Sequence, residues 1–215
     1  MGAESVLDLP PWFDSFLALG ADRHGILADA LKHSGVRFSS VELAGTRSII
    51  VAPDNPDRRY RLKLISAHYD RVPGTPGALD NSAACVQLWK LATSDAESFN
   101  TICAFTDNEE LVDGDATKQG SYALGLALGT LGYSRPLAIT LDVCGRGDTI
   151  VFSTAAKSID NRPGKTALAA RDACSAVDQL VRLMAGRGRC CATALPYGED
   201  LGYLLAGVPA VAVTV

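Results

Sequence analysis

The residues with the clearest chemical potential are His68 and Asp70, which close the apolar run YRLKLISAH and its sequel YD. Asp80 follows a loop containing two prolines and two glycines. Five more acids stand near the ends of later apolar runs. FNTICAFTD leads into Asn108, Glu109 and Glu110, and PLAITLDV carries Asp142 near its end. CCATALP leads into Glu199 and Asp200. In open α/β sheets, sites form at the carboxyl ends of strands. Several carboxylates converging there with one histidine would suit a hard or borderline dication. Without an ion, their mutual repulsion and desolvation would be costly.

Each residue also has a plainer reading. Asp80 and Asp200 suit helix N-caps, and Glu109 and Glu110 suit a solvated loop. Asp142 would serve as a hydrogen-bonded structural acid, and His68 as a satisfied core histidine. The shared placement at strand ends favours a site.

The elements that must position these groups follow from pattern. Helices are predicted over residues 10–20 and 21–34, broken by Gly20 and Gly35. Strands are predicted over 36–43, 46–53 and 60–68, the first two joined as a hairpin across Ala44–Gly45. Helices are then predicted at 80–92, 117–129 and 165–185, with a short one near Leu201. Strands are predicted at 99–107, 136–143, 148–154, 190–196 and 208–215. Apolar strands without alternation, separated by amphipathic helices, predict an α/β fold. Its mixed, mostly parallel sheet would be sandwiched by helices. The chain is expected to form one domain, residues 1–215, with N-terminal helices at 1–35 and the catalytic core at 36–215.

Hydrophobic residues make up 47% of the chain and charged residues 20%, which excludes a disordered polymer. A net charge of −4 argues against nucleic acid or an anionic membrane as partner. No apolar run approaches the roughly 20 residues of a membrane span. The N-terminus does not read as a signal peptide, so a cytoplasmic location is expected. The six cysteines form no CxxC pair and are expected to be mostly reduced core residues.

The segments AHYDRV, ALDNSAACVQLWKLA, Glu109–Glu110 with GSYALG downstream, LDVCGRGD and EDLGYLLAGVPAVAV occur in that order. Together they resemble the family-28 zinc metallopeptidases, from about residue 60 onward. The family includes aminopeptidases, carboxypeptidases and, as a non-peptidase branch, glutaminyl cyclases. The resemblance implies a zinc exopeptidase, most simply an aminopeptidase acting on short peptides, with one or two zinc ions. It implies that His68 and Asp142 ligate the first zinc, Asp80 bridges the two, and Glu110 ligates the second. It implies Glu109 as the general base and Asp70 as the acid that orients His68. It also implies a cis peptide at Asp80–Asn81.

The family pattern has a further zinc histidine beyond the strand matching VPAVAVTV, and this chain stops at Val215. The expectation is a shortened chain, its first metal site whole and its second open, with His24 and His33 not serving as ligands. A glutaminyl-cyclase-like acyltransferase and a non-catalytic relative are the competing readings. Glu199 or Asp200 is a further guess, as a selector of a substrate's free amine.

Overall fold

The strand Thr101–Thr106 is buried along its whole length, which makes it central to the sheet. Its residues alternate between two cores, as the two-residue period of a strand requires. Ile102 and Ala104 face one core and Cys103 and Phe105 the other. The computed structural model describes residues 9–57, 59–94, 99–110, 114–130 and 136–215.

In chain order the helices are α1 (Phe13–Leu17), α2 (Arg23–His33), α3 (Ala83–Thr93), α4 (Gly120–Thr130), α5 (Lys165–Met184) and α6 (Glu199–Ala206). The strands are β1 (Ser39–Leu43), β2 (Thr46–Val51), β3 (Lys63–His68), β4 (Thr101–Thr106), β5 (Leu137–Leu141), β6 (Thr149–Ser153), β7 (Arg189–Thr193) and β8 (Ala210–Thr214). They form one sheet in the order β1-β2-β4-β3-β5-β8-β6-β7. The centre is parallel: β3 with β4 and β5, and β5 with β8. β6 and β7 are also parallel. Antiparallel pairs join β1 to β2, β2 to β4 and β6 to β8. The mixed, mostly parallel sheet between helices is the architecture the sequence predicts.

One face is packed by α4, α5 and α6 around Leu64, Ile102, Ala173, Tyr203 and Val211. The other is packed by α1, α2 and α3 around Phe16, Leu27, Leu88 and Phe105. Gly125 lets α4 and α6 approach closely, because a Cβ there would stand 2.7 Å from the Cβ of Ala206. That contact docks the last turn of α6 against α4.

The helix predicted over 80–92 starts later. Residues Ala78–Ser82 form a wider turn, in which Asp80 (φ −112°, ψ 91°) and Asn81 (φ −133°, ψ 33°) leave helical geometry. The Asp80–Asn81 peptide is cis, as the resemblance implied. Asn81 is fully buried and its Nδ2 donates to the Leu141 carbonyl at 2.8 Å, which turns the backbone toward β5. Asp80 makes no capping bond to α3, so its N-cap reading does not hold. The helix predicted from 117 begins at Gly120, after a short 3₁₀ turn at Ala116–Lys118.

Of the cysteines, Cys85, Cys103 and Cys144 are buried, whereas Cys174 and Cys190 are half-buried and Cys191 is exposed. The core reading therefore fits only three of the six, because α5 and the edge strand β7 carry the others toward solvent. No helix among the described residues is long and apolar enough to cross a membrane.

Candidate functional site

Parallel register puts the carboxyl ends of β3 and β4 side by side, with His68 opposite Thr106. β5 ends beside them, and the Asp142 amide just beyond it donates to the Val213 carbonyl at 2.9 Å. The polar groups that follow these strands therefore gather at one edge of the sheet.

His68 is 1% exposed. Its Nδ1 lies 3.3 Å from Asp70 Oδ1. The other oxygen of Asp70 accepts from the Glu110 amide at 2.8 Å, so one carboxylate ties the histidine to the β4 loop. On the opposite side of the ring, Nε2 faces Asp80 Oδ1 at 3.2 Å, Asp142 Oδ1 at 3.6 Å and Glu109 Oε2 at 3.8 Å. Ligand-type atoms of His68, Asp80 and Asp142 all lie within 4.8 Å of one another, as do those of His68, Glu109 and Glu110. All six residues singled out in the sequence thus meet at this edge. Glu110 groups with His68 and Glu109, and not with Asp80.

Despite these distances, neither ring nitrogen of His68 makes an aligned hydrogen bond, and neither does Asp142 Oδ1. Buried polar atoms are rarely left so. Burial disfavours the charged imidazolium, but hydrogen-bonding distance to Asp142, Asp70 and Asp80 outweighs it and holds the His68 pKa well above its ordinary value. Burial pushes Glu109 up to about 8, with the charges of Asp142, Asp70 and Glu110 adding to the shift and His68 opposing it. Burial and the charge of Asp80 raise Glu110 as well. Asp70 moves the other way: burial is outweighed by His68 and by the amides of Glu110 and Glu109. A cluster that draws positive charge to itself and leaves its ligand atoms unpaired fits a dication held by carboxylate and imidazole.

Behind this edge lies a second, enclosed layer. Ser66 and Thr106 are buried, and both fall on the His68 face of the sheet by strand period. Thr106 Oγ1 donates to Glu199 Oε1 of α6. Glu199 is 2% and Asp200 1% exposed. Burial pushes their pKa values up to about 7 and about 6. Asp200 Oδ1 accepts from the Gly198 amide at 3.0 Å. Neither acid opens toward solvent, so the guess that one selects a substrate amine is corrected. α6 folds back under the sheet and takes both inside.

Two positions at the site gave no signal in the sequence. A Cβ on Gly198 would stand 3.0 Å from Asp142 Oδ2 and 3.4 Å from Glu109 Oε1, so the bare backbone forms one wall. Val143, next to Asp142, has φ +51°. That is an unfavourable conformation for a β-branched residue, of the kind that gathers at functional sites. The other two histidines are engaged elsewhere. His24 Nε2 lies 2.9 Å from Ser40 Oγ, and His33 Nδ1 2.7 Å from the Asp29 carbonyl.

The sequence profile of peptidase family M28 matches residues 49–184. A search of curated protein sequences found no match. Among solved structures, a glutaminyl cyclase from Porphyromonas gingivalis is similar with a TM-score of 0.62 and 21% identity, covering 94% of this chain and 80% of that one. The LapA aminopeptidase of Legionella pneumophila is similar with a TM-score of 0.62 and 13% identity, covering 89% of this chain and 51% of that one. A Zn-dependent exopeptidase from Parabacteroides distasonis is similar with a TM-score of 0.57 and 16% identity, covering 94% and 81%. At these identities the likeness is one of fold.

Proposed function

Because the chain belongs to peptidase family M28, we propose that it is a zinc-dependent exopeptidase, acting as an aminopeptidase on short peptides. The observation that carries this reading is the convergence of Asp80, Asp142 and Glu109 oxygens on His68 Nε2 within 3.8 Å, with no hydrogen bond to that nitrogen. His68, Asp80 and Asp142, whose ligand atoms lie within 4.8 Å of one another, would hold a first ion, and Glu110, with Asp80 as the resemblance implies, would hold a second. Zinc supplies a Lewis acid that polarises a carbonyl and favours ionisation of water.

The chain's own groups do the rest. Asp70 holds the His68 ring from behind, fixing its orientation and leaving Nε2 for the metal. Glu109 has an elevated proton affinity through burial, which suits a base working near neutrality. It takes the proton from the attacking water and passes it to the departing amine. Gly198 leaves the space beside Glu109 open for the peptide.

The test is hydrolysis, in the presence of zinc, of short peptides with a free or an acetylated N-terminus. Release of the first residue from the free peptide alone is expected. Equal cleavage of both would defeat the aminopeptidase assignment. The likeness to a glutaminyl cyclase, over 94% of this chain and 80% of that one, supports a second reading beside this one. In it a substrate's own α-amine attacks the γ-carbonyl of an N-terminal glutamine and ammonia leaves. A glutamine-initiated peptide separates the two. The peptidase releases glutamine, and the cyclase releases ammonia and leaves the peptide bond intact.

A further inference from the structure

The loop from Asp70 to Ser82 carries one acid that backs His68 and one that faces it, and a single arginine from outside the loop holds both of its ends. Arg23 opens α2, yet it is only 5% exposed. A buried guanidinium needs partners, because unpaired buried charge is expensive. Its Nη1 donates to the main-chain carbonyl of Asp70 at 3.1 Å. Its Nη2 donates to Ser82 Oγ. Its plane lies over the Phe16 ring, 3.9 Å from the centroid. Ser82 Oγ in turn donates to the Gly77 carbonyl at 2.5 Å.

The grip is mutual. Arg71, inside the loop, reaches back to the turn between α1 and α2. It donates to the carbonyls of Leu17 at 2.9 Å and Ala18 at 2.6 Å, and to that of Pro76 at 3.2 Å. Gly77 (φ +59°) closes on both arginines: a Cβ there would stand 2.9 Å from the Arg71 Cβ and 3.3 Å from Arg23 Nη1. A lysine would serve less well here, since its compact ammonium lacks the two-nitrogen fork that reaches the Asp70 carbonyl and Ser82 from over the Phe16 ring.

We propose that Arg23 is a positioning residue for the metal loop. By pinning the Asp70 carbonyl and Ser82 together, it fixes where Asp70 and Asp80 stand relative to His68, and so sets metal affinity without touching the metal. The inference rests on the zinc reading of the site. It gives the N-terminal helices, which precede residues 49–184, a part in the reaction.

The test is zinc affinity, by competition with a chromophoric chelator, for the full chain and its Arg23→Met, Arg23→Lys and Ser82→Ala variants, with kcat and KM measured alongside. Loss of an outer partner of a metal ligand weakens affinity about 10- to 100-fold; Arg23 acts one step further out, through Asp70 and Ser82, so the lower end, about 10-fold, is expected for Arg23→Met. Ser82→Ala removes the Ser82 Oγ bonds to Arg23 and to the Gly77 carbonyl but leaves Arg23 on the Asp70 carbonyl, so a smaller loss, about 3-fold, is expected. In both, kcat should fall with KM nearly unchanged, and Arg23→Lys should lie between Arg23→Met and the natural chain. A folded Arg23→Met that binds zinc as tightly as the natural chain would overturn the inference, as would full rescue by lysine. If Arg23→Met does not fold, unchanged affinity in Ser82→Ala overturns it instead. A natural chain that binds no zinc would remove the metallopeptidase reading itself, a separate failure.

Discussion

Two walls of different make bound the loop from Asp70 to Ser82. The outer wall consists of acids presented from the ends of β3, β4 and β5: Asp70, Asp80, Glu109, Glu110 and Asp142. Each lies close to His68 or to another acid that does, and two of their oxygens, Asp70 Oδ1 and Asp142 Oδ1, are buried without a hydrogen bond. The inner wall consists of α1 and α2, with Phe16, Leu27 and Leu31 fully buried and Arg23 as its one buried cation. The outer wall has the chemistry and bears the electrostatic cost of assembling it. The inner wall has no reactive group facing Nε2, but its apolar burial holds the loop in place. Reactivity and stability are therefore divided between neighbouring parts of one edge, and substitutions should separate them.

The sharpest separation is expected from Glu109→Gln. Removing a general base costs about 10³-fold in kcat, roughly 4 kcal/mol. Zinc binding and melting should change little, since the amide keeps the shape and relieves a buried charge. Surviving activity would mean that Glu109 is not the base. Phe16→Ala should do the reverse. Deleting a fully buried aromatic costs about 3 kcal/mol of stability, readable in urea unfolding. A cost under about 1 kcal/mol would mean that the inner wall does not brace the loop, since that is well below the range for buried aromatics. Gly198→Ala should fall between the two. Its new methyl must push against Asp142 and Glu109, and small misplacements of reacting groups cost about 10- to 100-fold in rate. Unchanged kcat there would show that the wall can yield.

The outer wall was legible in the sequence because its grammar is local. An apolar run, then an acid or histidine at its end, is visible without knowing which strands adjoin, and the parallel sheet then brings the ends together. Asp142 could be read this way because a carboxyl closing an apolar strand is hard to place otherwise. The inner wall was not legible. Arg23 sits at the start of a helix, where a basic residue reads as a solvated side chain, and only the packing of α2 under the loop shows its burial. Glu199 and Asp200 failed for a related reason. They were visible as acids near a strand end, but β7 lies at the far edge of the sheet. The return of α6 to the core depends on a contact between Gly125 and Ala206 that no local pattern announces. Gly198 matters only as an absence of side chain, which has meaning once its neighbours are known.

The smallest expected effect concerns how the metal-free outer wall, with Glu199 and Asp200 enclosed behind it, responds to pH. Burial holds Glu109, Glu199 and Asp200 at about 8, about 7 and about 6, against ordinary values of 4.5, 4.5 and 3.8. Between the two sets of values the folded protein keeps protons that the unfolded chain has released, so stability falls as pH rises. His68 acts in the same direction. Its pKa is raised, so its contribution is full below 6.5 and is lost as pH climbs through the higher folded value. Asp70 is lowered, but its contribution changes only at and below its ordinary 3.8, outside this window. The metal-free protein should therefore melt lower at pH 8 than at pH 5, by on the order of a few degrees for a chain of this size. Zinc binds the deprotonated ligands and grows tighter as pH rises, so saturating zinc should flatten or reverse the trend. Phe16→Ala, which alters only the inner wall, should lower both ends of the metal-free curve without changing its slope. A metal-free melting temperature that rises across this range would mean that burial does not keep these acids protonated, and the contrast between the two walls would fail.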